Sequence, residues 1–171
     1  MGIRSILSKP LAKWVVKDQR KWALNPDRFQ SKLFKNLIKS GLNTQFGRDH
    51  NFNDIHSHSD FTQHVPIRDY EDLKPYIDEI LKGRKDVLWP GKPAYLAKTS
   101  GTTSGVKYIP ITIDSIPNHI NSARNALLSY VNETGNSSFL DKKLIFLSGS
   151  PTLTYISGIP TGRLSGIVNH L

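Results

Sequence analysis

The chain has 171 residues, 37% apolar and 22% charged, which suits a folded domain with a real core and excludes a disordered polyelectrolyte. Without cysteine it has neither disulfides nor thiolate metal sites, which agrees with a cytoplasmic setting, and no apolar run approaches the ~18 residues of a membrane span. The net charge of +9 sits in residues 1–48, which hold 11 Lys/Arg against 2 Asp/Glu, whereas residues 49–171 hold 12 of each. No base-stacking pattern or zinc-finger spacing accompanies it, so no nucleic-acid partner is expected.

Ile3, Ile6, Leu7, Leu11, Trp14 and Val15 recur at helical spacing, with Lys9, Lys13, Lys17 and Lys21 turned elsewhere; Pro10 is expected to kink or divide this helix. The plain reading is a packed helix with a solvated basic face, and the other is peripheral contact of residues 1–24 with anionic lipid. Met1-Gly2 does not start a myristoylation motif, because Ile6 stands where Ser or Thr is needed. Asn25-Pro26 opens a second helix with Phe29, Leu33, Leu37 and Ile38 in one stripe and Gly41 at its end. Thr44 to Asn53 reads as a polar loop. His56, His58 and His64 do not share a helical face, so no metal site is expected there. Ser59 is expected to cap a short helix ending at His64.

Val65-Pro66 is extended, and Asp69 caps the next segment with Glu71 and Asp72 in its first turn. Pro75 restarts that helix, Ile77, Ile80 and Leu81 bury, and Gly83 ends it. A turn over Leu88–Pro93 leads into a strand at Ala94–Ala97, and a second strand reads at Tyr108–Ile111. Asp114 or Ser115 caps a helix with the stripe Ile116, Ile120, Ala123, Leu127 and Val131, followed by a polar turn over Asn132–Asp141. The run Leu144-Ile145-Phe146-Leu147 reads as a buried strand and Ser148-Gly149-Ser150-Pro151 as a plain turn. Leu164, Ile167, Val168 and Leu171 open an amphipathic helix that meets the chain end after two turns, and the expectation is the N-terminal portion of a longer protein.

Between the two strands lies Thr99-Ser100-Gly101-Thr102-Thr103-Ser104-Gly105-Val106-Lys107, with seven Gly, Ser or Thr among nine residues. Small residues let a backbone approach a ligand, glycines permit positive φ, and successive N–H groups can converge on an anion. Five hydroxyls add donors and Lys107 adds a full charge. These are the parts needed to hold a polyphosphate. The spacing is not that of a Walker A loop, because Val106 separates Gly105 from Lys107 and a strand follows.

The nine residues match the phosphate-binding signature of the adenylate-forming superfamily at every position. Their surroundings resemble one branch of it, the acyl-acid amido synthetases that conjugate auxin and jasmonate to amino acids in plants, with their bacterial relatives. The resemblance runs through Val65-Pro66-Ile67-Arg68-Asp69-Tyr70-Glu71-Asp72-Leu73-Lys74-Pro75-Tyr76-Ile77, Gly83, Trp89-Pro90-Gly91-Lys92-Pro93, the loop, Tyr108-Ile109-Pro110-Ile111-Thr112, and Gly158-Ile159-Pro160. It implies an α/β fold, the N-terminal part of an adenylate-forming domain: a helical start, strand–phosphate loop–strand, a helix and a further strand. Residues 1–64 would be a basic helical segment and 65–171 the beginning of the adenylation domain.

The resemblance also implies an ATP-dependent ligase that activates a carboxylic acid as acyl-AMP and passes it to an amine, an amino acid in the plant branch. Thr99, Ser100, Gly101, Thr102, Thr103, Ser104, Gly105 and Lys107 would hold the phosphates, with Lys107 catalytic. Gly158, Ile159, Pro160, Thr161 and Gly162 match a segment that approaches the acyl substrate. The Mg2+ ligand, the adenine-stacking aromatic and the ribose-binding aspartate are expected outside this chain, which alone carries a phosphate grip but not a complete active site. Plant members commonly have one more residue between the central glycine and the lysine. The shorter spacing here leaves a thiol acceptor, as in acyl-CoA ligases, beside the amine. A non-catalytic basic module binding anionic lipid or nucleic acid is the remaining alternative.

Overall fold

A computed structural model describes residues 2–99, 105–143, 145 and 147–171. In chain order its elements are helices α1 (Ile3–Ala23), α2 (Pro26–Gly41), α3 (Gln45–Asp49), α4 (His58–His64) and α5 (Tyr70–Leu81), strands β1 (Tyr95–Lys98) and β2 (Tyr108–Ile111), helix α6 (Ile116–Thr134), strands β3 (Thr154–Ile156) and β4 (Ile159–Arg163), and helix α7 (Leu164–Ile167). The chain forms two compact units, Met1–Ser31 with Asp114–Leu147, and Lys32–Ile113 with Ser148–Leu171.

In the first unit α1 turns its small residues inward. Ser5, Ser8, Ala12 and Val15 are buried, and Ala12 and Val15 meet Leu128 and Val131 of α6, with Phe139 and Leu140 beside them. Of the expected apolar stripe Val15 is buried, but Ile3, Ile6, Leu7, Leu11 and Trp14 face outward, Ile3 at 76% exposed and Trp14 at 64%. Small side chains let the partner come close, and polar ties complete the contact. The Ser5 and Ser137 hydroxyls lie 2.6 Å apart, and the Asp141 carboxylate accepts from the Gly2 and Ser5 backbone N–H groups at 2.6 and 3.2 Å. That carboxylate satisfies donors which the first turn of a helix leaves free. Pro10 does not divide α1. On α6 the buried stripe is Leu128 and Val131, so Ile120 and Leu127 face out. The strand expected at 144–147 is corrected: Ile145 and Leu147 belong to no strand and are almost fully exposed, while Leu144 and Phe146 lie outside the described residues.

In the second unit the expected loop at 44–53 is structured. Thr44 caps α3 by accepting from the Gly47 N–H at 2.9 Å and donates to Gly41 O at 2.7 Å. Phe52 and Ile55 then join Ile38 of α2 in a small core with Phe34, Phe46 and Phe61, while Phe29, Leu33 and Leu37 of the expected α2 stripe stay exposed. Helix α4 begins two residues earlier than expected, because the cap is Ser57 in a reciprocal box with Asp60 rather than Ser59. The backbone N–H groups of His56 and Ser57 hold the Asp60 carboxyl below its ordinary range. Helix α5 runs unbroken through Pro75.

The sheet has the order β2-β1-β4-β3, antiparallel at β1–β2 and β3–β4 but parallel at β1–β4. The last two strands were not expected from sequence. They are joined by Ser157 and Gly158, at φ of 47° and 76°, the paired left-handed conformation of a two-residue hairpin turn. Helix α5 covers one face, where Tyr76, Ile77 and Ile80 form a core with Val87, Leu96 and Ile159. On the chain's final stretch Ile167 is fully buried, while Leu164, Val168 and Leu171 remain exposed.

Candidate functional site

The β1–β2 ladder pairs Tyr95 with Ile111 and ends at Lys98 opposite Tyr108. One further bond, from Thr99 N–H to Lys107 O at 3.0 Å, closes the base of the connecting segment. Thr99 and Lys107 therefore stand opposite each other where the glycine- and hydroxyl-rich tip begins and ends. Ser100, Gly101, Thr102, Thr103 and Ser104 lie outside the described residues. Gly105 has φ +80°, and no atom of the described residues lies within 4 Å of where a Cβ would sit.

Lys107 is half-buried, and its Nζ lies 5.1 Å from the centroid of the Tyr70 ring. Tyr70 is the first residue of α5, behind an Asp69–Asp72 capping box. Its hydroxyl oxygen accepts from the Tyr108 N–H at 2.8 Å. Because β2 is a sheet edge, that outward amide has no strand to pair with, and Tyr70 supplies the acceptor.

The start of α5 is held from a second side. The Arg68 guanidinium donates to His50 Nε2 at 3.1 Å, which requires the imidazole proton on Nδ1, where it donates to Phe46 O at 2.8 Å. Six residues past Tyr70, the Tyr76 hydroxyl donates to Asp49 at 2.9 Å, and burial, followed by that bond, pushes its pKa up.

The parallel pairing of β1 and β4 sets Lys98 beside Arg163 at the carboxyl ends of both strands, the end at which α/β sheets bind ligands. Lys98 Nζ donates to the Thr154 hydroxyl at 3.3 Å. Within the segment Gly158–Gly162 the roles divide. Gly158 lies at the β3–β4 turn, five residues, or roughly 17 Å, from the Arg163 end. Ile159 and Thr161 are buried in the sheet, where the Thr161 hydroxyl donates to Ile159 O at 2.9 Å; Pro160 is half-buried, and a Cβ on Gly162 would meet Leu153 Cδ2 at 2.6 Å. The Ser148–Pro151 turn is engaged by the end of the chain: Gly149 N–H donates to Ser165 Oγ at 3.0 Å, and His170 Nε2 lies 2.6 Å from Pro151 O.

Sequence reasoning gave Tyr70 no role at the site. Its partner Tyr108 is 38 residues away, and an aromatic residue after an N-cap aspartate reads only as a helix start.

The profile of the GH3 family N-terminal domain matches residues 15–170. The chain belongs to the GH3 family. Among its relatives are the Arabidopsis thaliana indole-3-acetic acid-amido synthetases GH3.4, 27% identical over 137 residues and 80% of this chain, and GH3.15, 31% identical over 125 residues and 71% of it. The chain spans 23% and 20% of those proteins. A solved structure of the AtGH3.15 acyl acid amido synthetase in complex with 2,4-DB shares the fold, with a TM-score of 0.75 at 20% identity over 89% of this chain and 27% of that one. A second structure of the GH3.15 acyl acid amido synthetase gives 0.69 at 21% identity over 83% and 26%. The mixed α/β fold expected from sequence is thus the fold of this family's N-terminal domain. Among the described residues no helix is long and apolar enough to cross a membrane.

Proposed function

We propose that this chain supplies the phosphate grip of an acid–amino acid ligase that works through an acyl-adenylate. The observation that carries the reading is Lys107 closing a glycine- and hydroxyl-rich hairpin beside the left-handed backbone of Gly105. In this reaction a carboxylate oxygen bonds to the α-phosphorus of ATP as the bond to the pyrophosphate oxygen breaks. An amine then attacks the acyl carbonyl and AMP departs; a thiol such as that of coenzyme A would take the same place. Negative charge grows on the leaving pyrophosphate, so a fixed ammonium and fixed donors aimed there favour the transition state over the ground state. Lys107 is the ammonium, Gly105 offers backbone, and the Thr102 and Thr103 hydroxyls are the expected donors. Bound Mg2+ would share the phosphate charge, through ligands expected outside this chain.

Pyrophosphate exchange by the whole protein across a panel of carboxylic acids tests the reading. Lys107→Ala is expected to slow exchange roughly 10²–10³-fold, the cost of one preorganised charge-stabilising group. Exchange at the wild-type rate would remove Lys107 from the chemistry.

A second reading follows from α1, which presents Ile3, Leu7, Leu11 and Trp14 to solvent on a helix that also carries Lys9, Lys13 and Lys17. Such a surface suits an anionic bilayer. Sedimentation with phosphatidylserine vesicles would then be lost in high salt, yet survive deletion of residues 99–107.

A further inference from the structure

The helix that starts beside the hairpin does more than cover the sheet. Three contacts meet on Tyr70: its hydroxyl takes the outward amide of Tyr108, its ring lies under the Lys107 ammonium, and its body packs against the core around Leu96 and Ile159. A lysine has a flexible four-carbon stem and a strongly hydrated head, so it holds one direction only when something fixes it. A ring face attracts an ammonium without neutralising it, whereas a carboxylate would compete with phosphate for it. Lys107 has no ion pair among the described residues, so the ring is the contact that orients its charge while leaving it available.

We infer that Tyr70 is a positioning residue for Lys107: the hydroxyl fixes the backbone on which the lysine is mounted, and the ring sets the direction of its ammonium. This rests on the phosphate-grip reading for its purpose, but its geometry can be tested separately. The two halves of the tyrosine can be removed one at a time. Tyr70→Phe keeps the ring and frees the Tyr108 amide; Tyr70→Leu removes both contacts.

The experiment is NMR on the 171-residue chain, titrated with inorganic tripolyphosphate. In the wild type the Lys107 Hε protons are expected upfield of the other lysines by the ring current of Tyr70. Tyr70→Phe should keep that shift, bind tripolyphosphate within about twofold of wild type, and exchange the Tyr108 amide about tenfold faster. Tyr70→Leu should lose the shift and bind about fivefold more weakly, the size of a partly exposed cation–ring contact. In a Lys107→Ala background Tyr70→Leu should cost nothing further, since a residue that acts only through Lys107 has nothing left to position. An equal loss in both backgrounds, or a wild-type Lys107 shift no different from the other lysines, would overturn the inference. If Lys107→Ala and wild type bind alike, the phosphate-grip reading fails instead, and the Hε shift still decides the geometry. Should Tyr70→Leu not fold, the shift and the Tyr108 exchange rate in Tyr70→Phe decide it.

Discussion

At the scale of single residues, the phenol of Tyr76 is the clearest case of a buried group tied to a distant partner. It is buried, stacks its ring edge toward Phe46 at 5.3 Å between centroids, and gives its proton to Asp49. Both burial and the neighbouring carboxylate disfavour the phenolate, so the folded chain holds this proton more tightly than the unfolded one. The sign follows from proton counting. The stabilising effect is complete below the ordinary tyrosine value of 10.0 and is lost as pH climbs through the raised folded value. Urea unfolding between about pH 8 and 11 should therefore show stability falling more steeply in wild type than in Tyr76→Phe. Parallel slopes would mean that this phenol does not sense Asp49. The residue pattern around it was partly legible. Ile77 and Ile80 announce the buried face of α5 by spacing alone, but the tyrosine just before them gives no hint of a carboxylate 27 residues upstream.

At the scale of elements, polar side chains decided what hydrophobic periodicity could not. Thr44 shows the cost. Its buried hydroxyl is both donor to Gly41 O and acceptor from Gly47 N–H, and without it the segment would be the loop that its composition suggests. Thr44→Val keeps the shape and leaves the Gly47 N–H without its acceptor, while Gly41 O keeps the Thr44 N–H, and should destabilise the chain by about 1–2 kcal/mol in urea. A change below a few tenths would show that α3 does not depend on its cap. Where periodicity erred, it erred for a physical reason. On α1 the large apolar residues form a true helical stripe, yet the partner helix packs on Ala12 and Val15 while Ser5 and Ser8 lie buried, and spacing cannot say which of two faces a neighbour will choose. Strand β4 carries Pro160 and Gly162, which discourage a strand assignment. Pro160 pairs with Tyr155, and Leu153 fills the space that a side chain at Gly162 would need. The β1–β2 pair was legible because its signal is local: small residues flanked by two short apolar runs.

At the scale of the whole molecule, each unit has its own core, and each core can be tested where it is tightest. Leu96 is fully buried in one, and Leu96→Ala should cost about 2–5 kcal/mol and raise amide exchange in α5 and the sheet. Val131 is 2% exposed in the other, and Val131→Ala should cost about 2 kcal/mol and raise exchange in α1 and α6. Exchange that rose equally everywhere in both variants would mean a single cooperative body instead of two units.

The parallel neighbour of β1 arrives late. Leu96 pairs with Thr161 across 65 positions of chain, whereas it pairs with Pro110 across only 14. On a ribosome the β1–β2 hairpin can close as soon as its own second arm emerges, but one flank of β1 then waits, hydrogen-bonding groups bare, until another fifty or so residues have been made. During that interval the nascent chain offers a sticky ribbon edge to any passing strand, and the late-arriving Ile159–Arg163 segment ends the hazard by occupying it.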